Sequence, residues 1–314
     1  MKSSNIGGQA VLEGIMMKNR DAYSVAVRKP DGEIEVKTDE YNSAIKFKKL
    51  TQIPFVRGVF NFIDSLVLGM KTLTYSASFY EEEEEEGEEV LSDAQIAKRE
   101  KQEKVLMSVT VAVSIVLAVA IFMVLPYFLT DLLSKKVSSA GVRAILEGLV
   151  RIVIFVGYIL LISQMKDIKR VFMYHGAEHK CINCIEHGLP LTVENVRKSS
   201  KQHKRCGTSF LLFVMLISII LFFFIRVDSP VMRVVIRILL IPVIAGISYE
   251  LIKWAGNSDN PVVCLLSKPG LWLQGLTTRE PDDKMIEVGI QAVEAVFDWK
   301  AYLKENYGMA CEEK

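Results

Sequence analysis

The chain has 314 residues, half of them hydrophobic, and its 38 Lys and Arg nearly cancel its 37 Asp and Glu. That balance excludes a strongly basic nucleic-acid binder, because no net field gathers phosphate. The apolar content excludes a chain disordered overall. Because it collects in long blocks, it points to a membrane protein rather than to two soluble domains.

Residues 1–20 mix a short apolar patch with Glu13 and do not read as a secretory signal. Five cysteines, an odd number, do not suggest a disulfide framework, so the thiols are expected to be reduced and cytosolic. Within residues 1–50, two alternating runs beginning at Tyr23 and Glu33 flank Pro30-Asp31-Gly32 and predict a β-hairpin. Gly7 and Gly8 point to a turn or a close backbone approach, without a phosphate-loop pattern. Over 54–80, the polar residues Arg57, Asn61, Asp64 and Lys71 fall near one face of an otherwise apolar helix, which predicts an in-plane helix at a membrane surface. The glutamates at 81–86, with Glu88 and Glu89, read as a solvated acidic linker extending to 104.

Four blocks are long and apolar enough to span a bilayer: about 105–132, 142–165, 209–225 and 231–254. The second carries Glu147 and Arg151, one helical turn apart and able to pair. The fourth carries Arg233, Arg237, Pro242 and Glu250. Lys and Arg crowd the segment 166–208, which places that segment and both termini on the cytoplasmic side. A cytoplasmic tail follows, with a cap-and-turn at 277–283 and an amphipathic helix over 284–306. The expected fold is therefore mainly α: four membrane spans, a small N-terminal β-hairpin region and a C-terminal amphipathic helix.

All four histidines (His175, His179, His187, His203) and three cysteines (Cys181, Cys184, Cys206) fall within 166–208. Such bunching is expected of a metal or proton-transfer site. His175-Gly-Ala-Glu178-His179 has the H-x-x-E-H form. On a helix, residues i and i+4 share a face, so both imidazoles can hold one Zn²⁺ while Glu178 serves as general base toward water. A third ligand is needed. Glu250 is the first candidate, because the end of the fourth span returns to the cytoplasmic face. His203 and Cys206, just before the third span, form the second. Cys181 and Cys184 are spaced either to complete a structural zinc site or to act as a redox pair. His187, before Gly188 and Pro190, reads as a turn residue.

With these motifs the sequence resembles the YqhQ-like family of bacterial multi-pass membrane proteins. The resemblance is carried by Gly7-Gly-Gln-Ala-Val-Leu-Glu-Gly-Ile-Met-Met, Tyr174-His-Gly-Ala-Glu-His-Lys and His203-Lys-Arg-Cys-Gly-Thr-Ser-Phe. It implies a membrane protein of Bacillus-like or related bacteria, in a family of unknown function that is sometimes labelled a metal-dependent enzyme. A second, local resemblance to the inverted zincins covers His175, Glu178 and His179, and implies Glu250 as the downstream third ligand. The expected function is a zinc-dependent membrane hydrolase acting on membrane or membrane-proximal protein. The expected partners are the lipid bilayer and a membrane-protein substrate, and no nucleic acid. The alternative is a non-enzymatic scaffold or regulator with a structural metal site or none.

Overall fold

The computed structural model describes residues 2–43, 53–81, 93–133, 139–225, 227, 229–256 and 260–309. Of the linker expected over 81–104, residues 82–92 lie outside them, whereas Glu81 ends one helix and residues 93–104 open another, because the apolar block that follows continues the same helix. Four strands come first: β1 (Gly7–Val11), β2 (Gly14–Asn19), β3 (Ala22–Arg28) and β4 (Ile34–Glu40). Eleven helices follow among the described residues, beginning with α1 (Val56–Glu81), α2 (Asp93–Val119), α3 (Leu125–Leu133), α4 (Ala140–Ile162) and α5 (Lys166–Glu186). The remainder are α6 (Val193–Lys198), α7 (Gly207–Phe224), α8 (Pro230–Gly256), α9 (Pro261–Thr277), α10 (Asp283–Glu294) and α11 (Trp299–Tyr307). The chain divides into two compact units. One comprises Met1–Tyr80, Leu160–Val214 and Pro242–Lys314; the other comprises Glu81–Ile159 and Met215–Ile241.

In the first unit the strands form one antiparallel meander, β1-β2-β3-β4. The hairpin expected around Pro30-Asp31-Gly32 is β3–β4, closed by the Lys29 N–H donating to the Glu33 carbonyl at 2.9 Å, with Gly32 at φ +90°. The sheet is larger than that hairpin, because β1 and β2 add to it. Ile15, Met16 and Met17 hide this strand from a period-two reading, since β2 is buried on both faces. Ile15, Met17 and Ala26 pack with α5 and α10, while Met16, Val25 and Val27 pack with Leu68, Tyr75 and Phe79 of α1. Each of the Ile, Met, Val and Leu side chains contributes roughly 1.5–3 kcal/mol when fully buried.

On α1, Asp64, Leu68, Thr72 and Ser76 recur every four residues and are buried. Phe62, Ile63, Leu66, Val67, Met70 and Leu73 are exposed. Most of the polar residues that marked one face of this helix in the sequence are therefore engaged with protein. The Ser43 hydroxyl donates to Asp64 at 2.6 Å, Asn61 donates to the Tyr249 hydroxyl at 2.8 Å, and Arg57 binds Glu250. The C-terminal region also differs from expectation. Residues 261–277 form α9 rather than a tail. The single helix expected over 284–306 is broken into α10 and α11, because the Asp298 carboxylate accepts the Ala301 N–H at 2.8 Å and starts a new helix. Asp282 caps α10 in the same way.

Four helical stretches are long and apolar enough to cross a membrane, Val105–Leu133, Gly141–Ile162, Gly207–Phe224 and Val231–Gly256, matching the four expected blocks. A π-helical turn, Ala120–Val124, joins α2 to α3. In the second unit, Glu147 accepts from Arg151 at 3.0 Å and from Arg237 at 2.9 Å, and all three are buried. Arg151 also donates to Ser218 at 2.9 Å, and both guanidinium groups lie over the Phe222 ring.

Candidate metal centre

From Gly176 to Glu186 every residue of α5 is buried, although Glu178, His179, Lys180, Asn183 and Glu186 are polar. Buried polar groups need partners, and here the partners are mostly backbone carbonyls of the segment that follows α6. Lys180 donates to Arg197 O and Ser199 O at 2.9 and 2.8 Å. Asn183 donates to Ser200 O and Gln202 O at 2.6 and 2.9 Å. The Gln274 amide of α9 clips the same segment from its other side, accepting from His203 N at 2.9 Å and donating to His203 O at 2.7 Å. These bonds lay the strap 197–205 along α5 and deliver Cys206 to its histidine face.

There, ligand atoms of His175, His179 and Cys206 lie within 4.8 Å of one another. His175 Nδ1 bonds the Thr277 carbonyl at 2.9 Å, and His179 Nδ1 bonds the Lys201 carbonyl at 2.7 Å. A carbonyl only accepts, so each Nδ1 carries the proton and each Nε2 is left with its lone pair. His175 Nε2 stands 3.2 Å from Cys206 Sγ. The Glu178 carboxylate approaches the two Nε2 atoms at 3.9 and 3.5 Å. The Thr208 N–H, in the first turn of α7, donates to Cys206 Sγ at 3.4 Å, and that helix end favours negative charge. Two imidazoles oriented through Nδ1 by carbonyls, with a sulfur within 4.8 Å of both, are a donor set and second shell that suit Zn²⁺.

A cavity of about 90 Å³ opens on these groups, lined by His175, Glu178, His179, His203 and Cys206 and closed by Ile6, Gly7 and Gly8. Gly8 is required by this approach: a Cβ there would lie 2.8 Å from Glu178 Cγ and 2.7 Å from the Met16 carbonyl. The close backbone approach suggested by Gly7-Gly8 is thus made at Gly8, against the residue expected to act as base. Gly176 serves α5 likewise, since a Cβ on it would strike the Arg279 carbonyl.

The other expected ligands stand elsewhere. Glu250 is not in the cluster; its carboxylate accepts from Arg57 Nε at 2.6 Å and from the Phe55 N–H at 3.2 Å. The guanidinium satisfies it where a third ligand position had been expected. His203 lines the cavity, but its Nε2 donates to Glu186 at 3.2 Å. Glu186 also accepts from the Ser4 N–H and hydroxyl, each at 2.7 Å, and from Arg205. Burial would raise the Glu186 pKa, but the His203 bond, the Arg205 charge and the Ser4 N–H outweigh it and hold the carboxyl down at about 2.

Cys181 and Cys184 lie in the core with Ile15, Ile182 and Val288 rather than at the cavity. Burial pushes the Cys181 thiol up, and the Cys184 thiol up to about 11, which suits packing groups rather than a redox pair. His187 sits at the C-terminus of α5, bonded to the Asn183 carbonyl at 2.8 Å before Gly188 at φ +79°, as a turn residue should. Gln274, Thr277, Lys180 and Asn183 position the site, a role that the sequence does not assign to them. Their roles depend on α9 and the strap meeting α5, and no spacing within the sequence records that meeting.

No solved structure matches this chain. It is 36% identical over 306 residues to the protein of Bacillus subtilis (strain 168) described as "Uncharacterized protein YqhQ", an alignment covering 96% of this chain and 94% of that protein. Residues 53–299, which include every donor of the cluster, match the family described as "Protein of unknown function (DUF1385)". The chain belongs to that family.

Proposed function

We propose that the protein is a zinc-dependent hydrolase working at the cytoplasmic face of a bacterial inner membrane. The observation that carries this reading is the convergence of His175, His179 and Cys206, with Glu178 beside both imidazoles yet outside the three-atom cluster. His175, His179 and Cys206 would hold the metal, leaving a position open to the cavity. When bound, zinc supplies a Lewis acid that polarises a substrate oxygen and makes water more acidic. Glu178, nearly enclosed, has an oxygen in place to accept the proton that water gives up. His203, fixed by Glu186, forms one wall of the cavity.

Membrane placement is supported by the four apolar helices and by the exposed apolar stripe of α1, which suits the boundary of a bilayer. The basic residues of 166–208 support the cytoplasmic side. Peptide cleavage, the substrate class suggested by the inverted-zincin pattern, loses its third ligand with Glu250 held by Arg57. A structural metal in a scaffold is favoured by one observation, the near-complete burial of His179 and Cys206.

Metal content of the detergent-purified protein tests the proposal. About one zinc per chain is expected, falling to near zero in a His175→Ala/His179→Ala double variant, while Glu178→Gln keeps its zinc. X-ray absorption should find two nitrogens, one sulfur and an oxygen. Equal, near-zero zinc in folded samples of wild type and double variant would sink the site. A closed shell of four Cys and His ligands would leave the scaffold.

A further inference from the structure

A second cleft, of about 570 Å³, shares Ile6, Gly7, Gly8 and Arg205 as a common wall with the metal cavity. Its size lies within the range of small-molecule sites. Lys18, Arg20, Arg205 and Lys253 line it, and among its lining residues there is no Asp or Glu. Alternation along β2 and into its turn carries Met16, Lys18 and Arg20 to one side of the sheet, the side that packs with α1. Arg205 is fixed from behind by Glu186 and Ser3. Lys18 is a different case. It is half-buried, its ammonium sits 3.1 Å from the centroid of the Tyr41 ring, and it makes no ion pair among the described residues. Burial, the largest influence on it, pushes its pKa down, against the more distant Asp64 and Asp21. Arg20 likewise has no ion-pair partner among the described residues, and it is held at φ +51° in the turn between β2 and β3.

A partly desolvated ammonium such as Lys18 is costly unless an anion completes it, and the exposed Arg20 guanidinium stands on the same cleft with its donors turned to solvent. Guanidinium and ammonium groups are the side chains that bind phosphate, and two of each line this cleft. Met16, Leu68 and Ile252, also in the lining, suit an organic remainder. We propose that this cleft binds a phosphate-bearing organic ligand through Lys18, Arg20, Arg205 and Lys253, at the wall it shares with the metal cavity. The binding claim rests on the cleft alone. The further step, that the ligand is the substrate class of the hydrolase, rests on the metal reading above.

The test is equilibrium binding by the detergent-purified full chain in phosphate-free buffer. The probes are sn-glycerol 3-phosphate, short-chain phosphatidic acid below its micellar concentration, and short-chain diacylglycerol as the uncharged control. Phosphatidic acid is expected to bind, and a Lys18→Ala/Arg20→Ala variant to bind it at least tenfold more weakly. Arg20→Ala alone, at an exposed turn position, keeps the comparison valid if the double variant does not fold, and should lose at least threefold. Binding of glycerol phosphate as well identifies a soluble organophosphate site; binding of phosphatidic acid alone identifies a lipid headgroup site. Absence of binding by both phosphate probes, equal binding of diacylglycerol, or indifference to the Arg20 and Lys18 substitutions overturns the proposal. The His175→Ala/His179→Ala variant retains the four cations and should still bind, so loss of the metal reading and loss of this one are separately visible.

Discussion

Two regions of this molecule bury charge, and they resolve it in opposite ways. In the second unit, Glu147, Arg151 and Arg237 bond to one another, with Ser218 and the Phe222 ring beside them, and of this set only Arg151 Nε is buried without a hydrogen-bond partner among the described residues. At α5, the histidines give one nitrogen each to a backbone carbonyl and turn the other toward Cys206 and Glu178. The first arrangement spends nearly all its hydrogen bonds on itself; the second is satisfied from behind and open in front. A buried polar cluster reads as structure when its members consume each other's hydrogen bonds. It reads as a site when the bonds come from the scaffold and leave lone pairs facing a cavity.

The sharpest way to break that comparison is to remove one member of the closed set. Glu147→Gln leaves two buried guanidinium groups against a neutral amide, and breaking a buried ion set in this way costs about 3–5 kcal/mol. The expected result is a large fall in the thermal midpoint of the detergent-purified protein, or loss of folded protein from the membrane. Replacing all three by Leu, which removes the charges together, should restore much of the loss. A Glu147→Gln variant as stable as wild type would show that the set is not what holds the second unit.

The closed set was legible in the sequence in outline, because Glu147 and Arg151 are one turn apart within an apolar block. The four spans and the β3–β4 hairpin were legible for the same reason, since length, alternation and the Pro-Asp-Gly turn are local signals. His175, Glu178 and His179 were legible as one helical face. The third donor was not settled by local signals. Glu250 and Cys206 both come near the site by topology, and the difference is made by Arg57, nearly 200 residues from Glu250, which binds that carboxylate. β2 escaped notice because a strand buried on both faces loses its alternation. α9 is not legible because its polar residues, Gln274 and Thr277, have partners in the strap and in other helices rather than along its own face.

Acid sharpens the comparison at the open site, where Glu186 holds His203, Arg205 and Ser4 together. Its folded pKa, about 2, lies below the ordinary 4.5, so its ionised form stabilises the fold above about pH 4.5. That stability is lost as pH falls from about 4.5 toward 2, and amounts to roughly 3 kcal/mol at most. The thermal midpoint should therefore fall across this window, and Glu186→Gln should lower it at neutral pH while flattening the acid limb. An acid limb of the same steepness in Glu186→Gln would place the responsible carboxylate elsewhere.

The smallest expected effect separates two neighbouring glycines. A Cβ on Gly7 meets nothing within 4 Å, whereas one on Gly8 meets Glu178 Cγ, Met16 O and Met17 Sδ, all under 3 Å. Gly7→Ala should leave stability unchanged within about 0.5 kcal/mol. Gly8→Ala forces the sheet and α5 apart by a few tenths of an ångström, and overpacking of this kind costs about 1–3 kcal/mol. The neighbours differ in kind: the Met17 thioether can swing aside, but the Met16 carbonyl belongs to the β1–β2 ladder and cannot. The strain therefore divides between the β1–β2 ladder and Glu178, whose carboxylate accepts no hydrogen bond from backbone or from Lys and Arg among the described residues. On the proposed hydrolase reading, zinc content should survive Gly8→Ala, since neither histidine nor Cys206 is touched, while hydrolytic turnover should fall with the displaced carboxylate. Loss of zinc together with turnover would show instead that Glu178 holds the metal, and the site would then be closed like the one around Glu147.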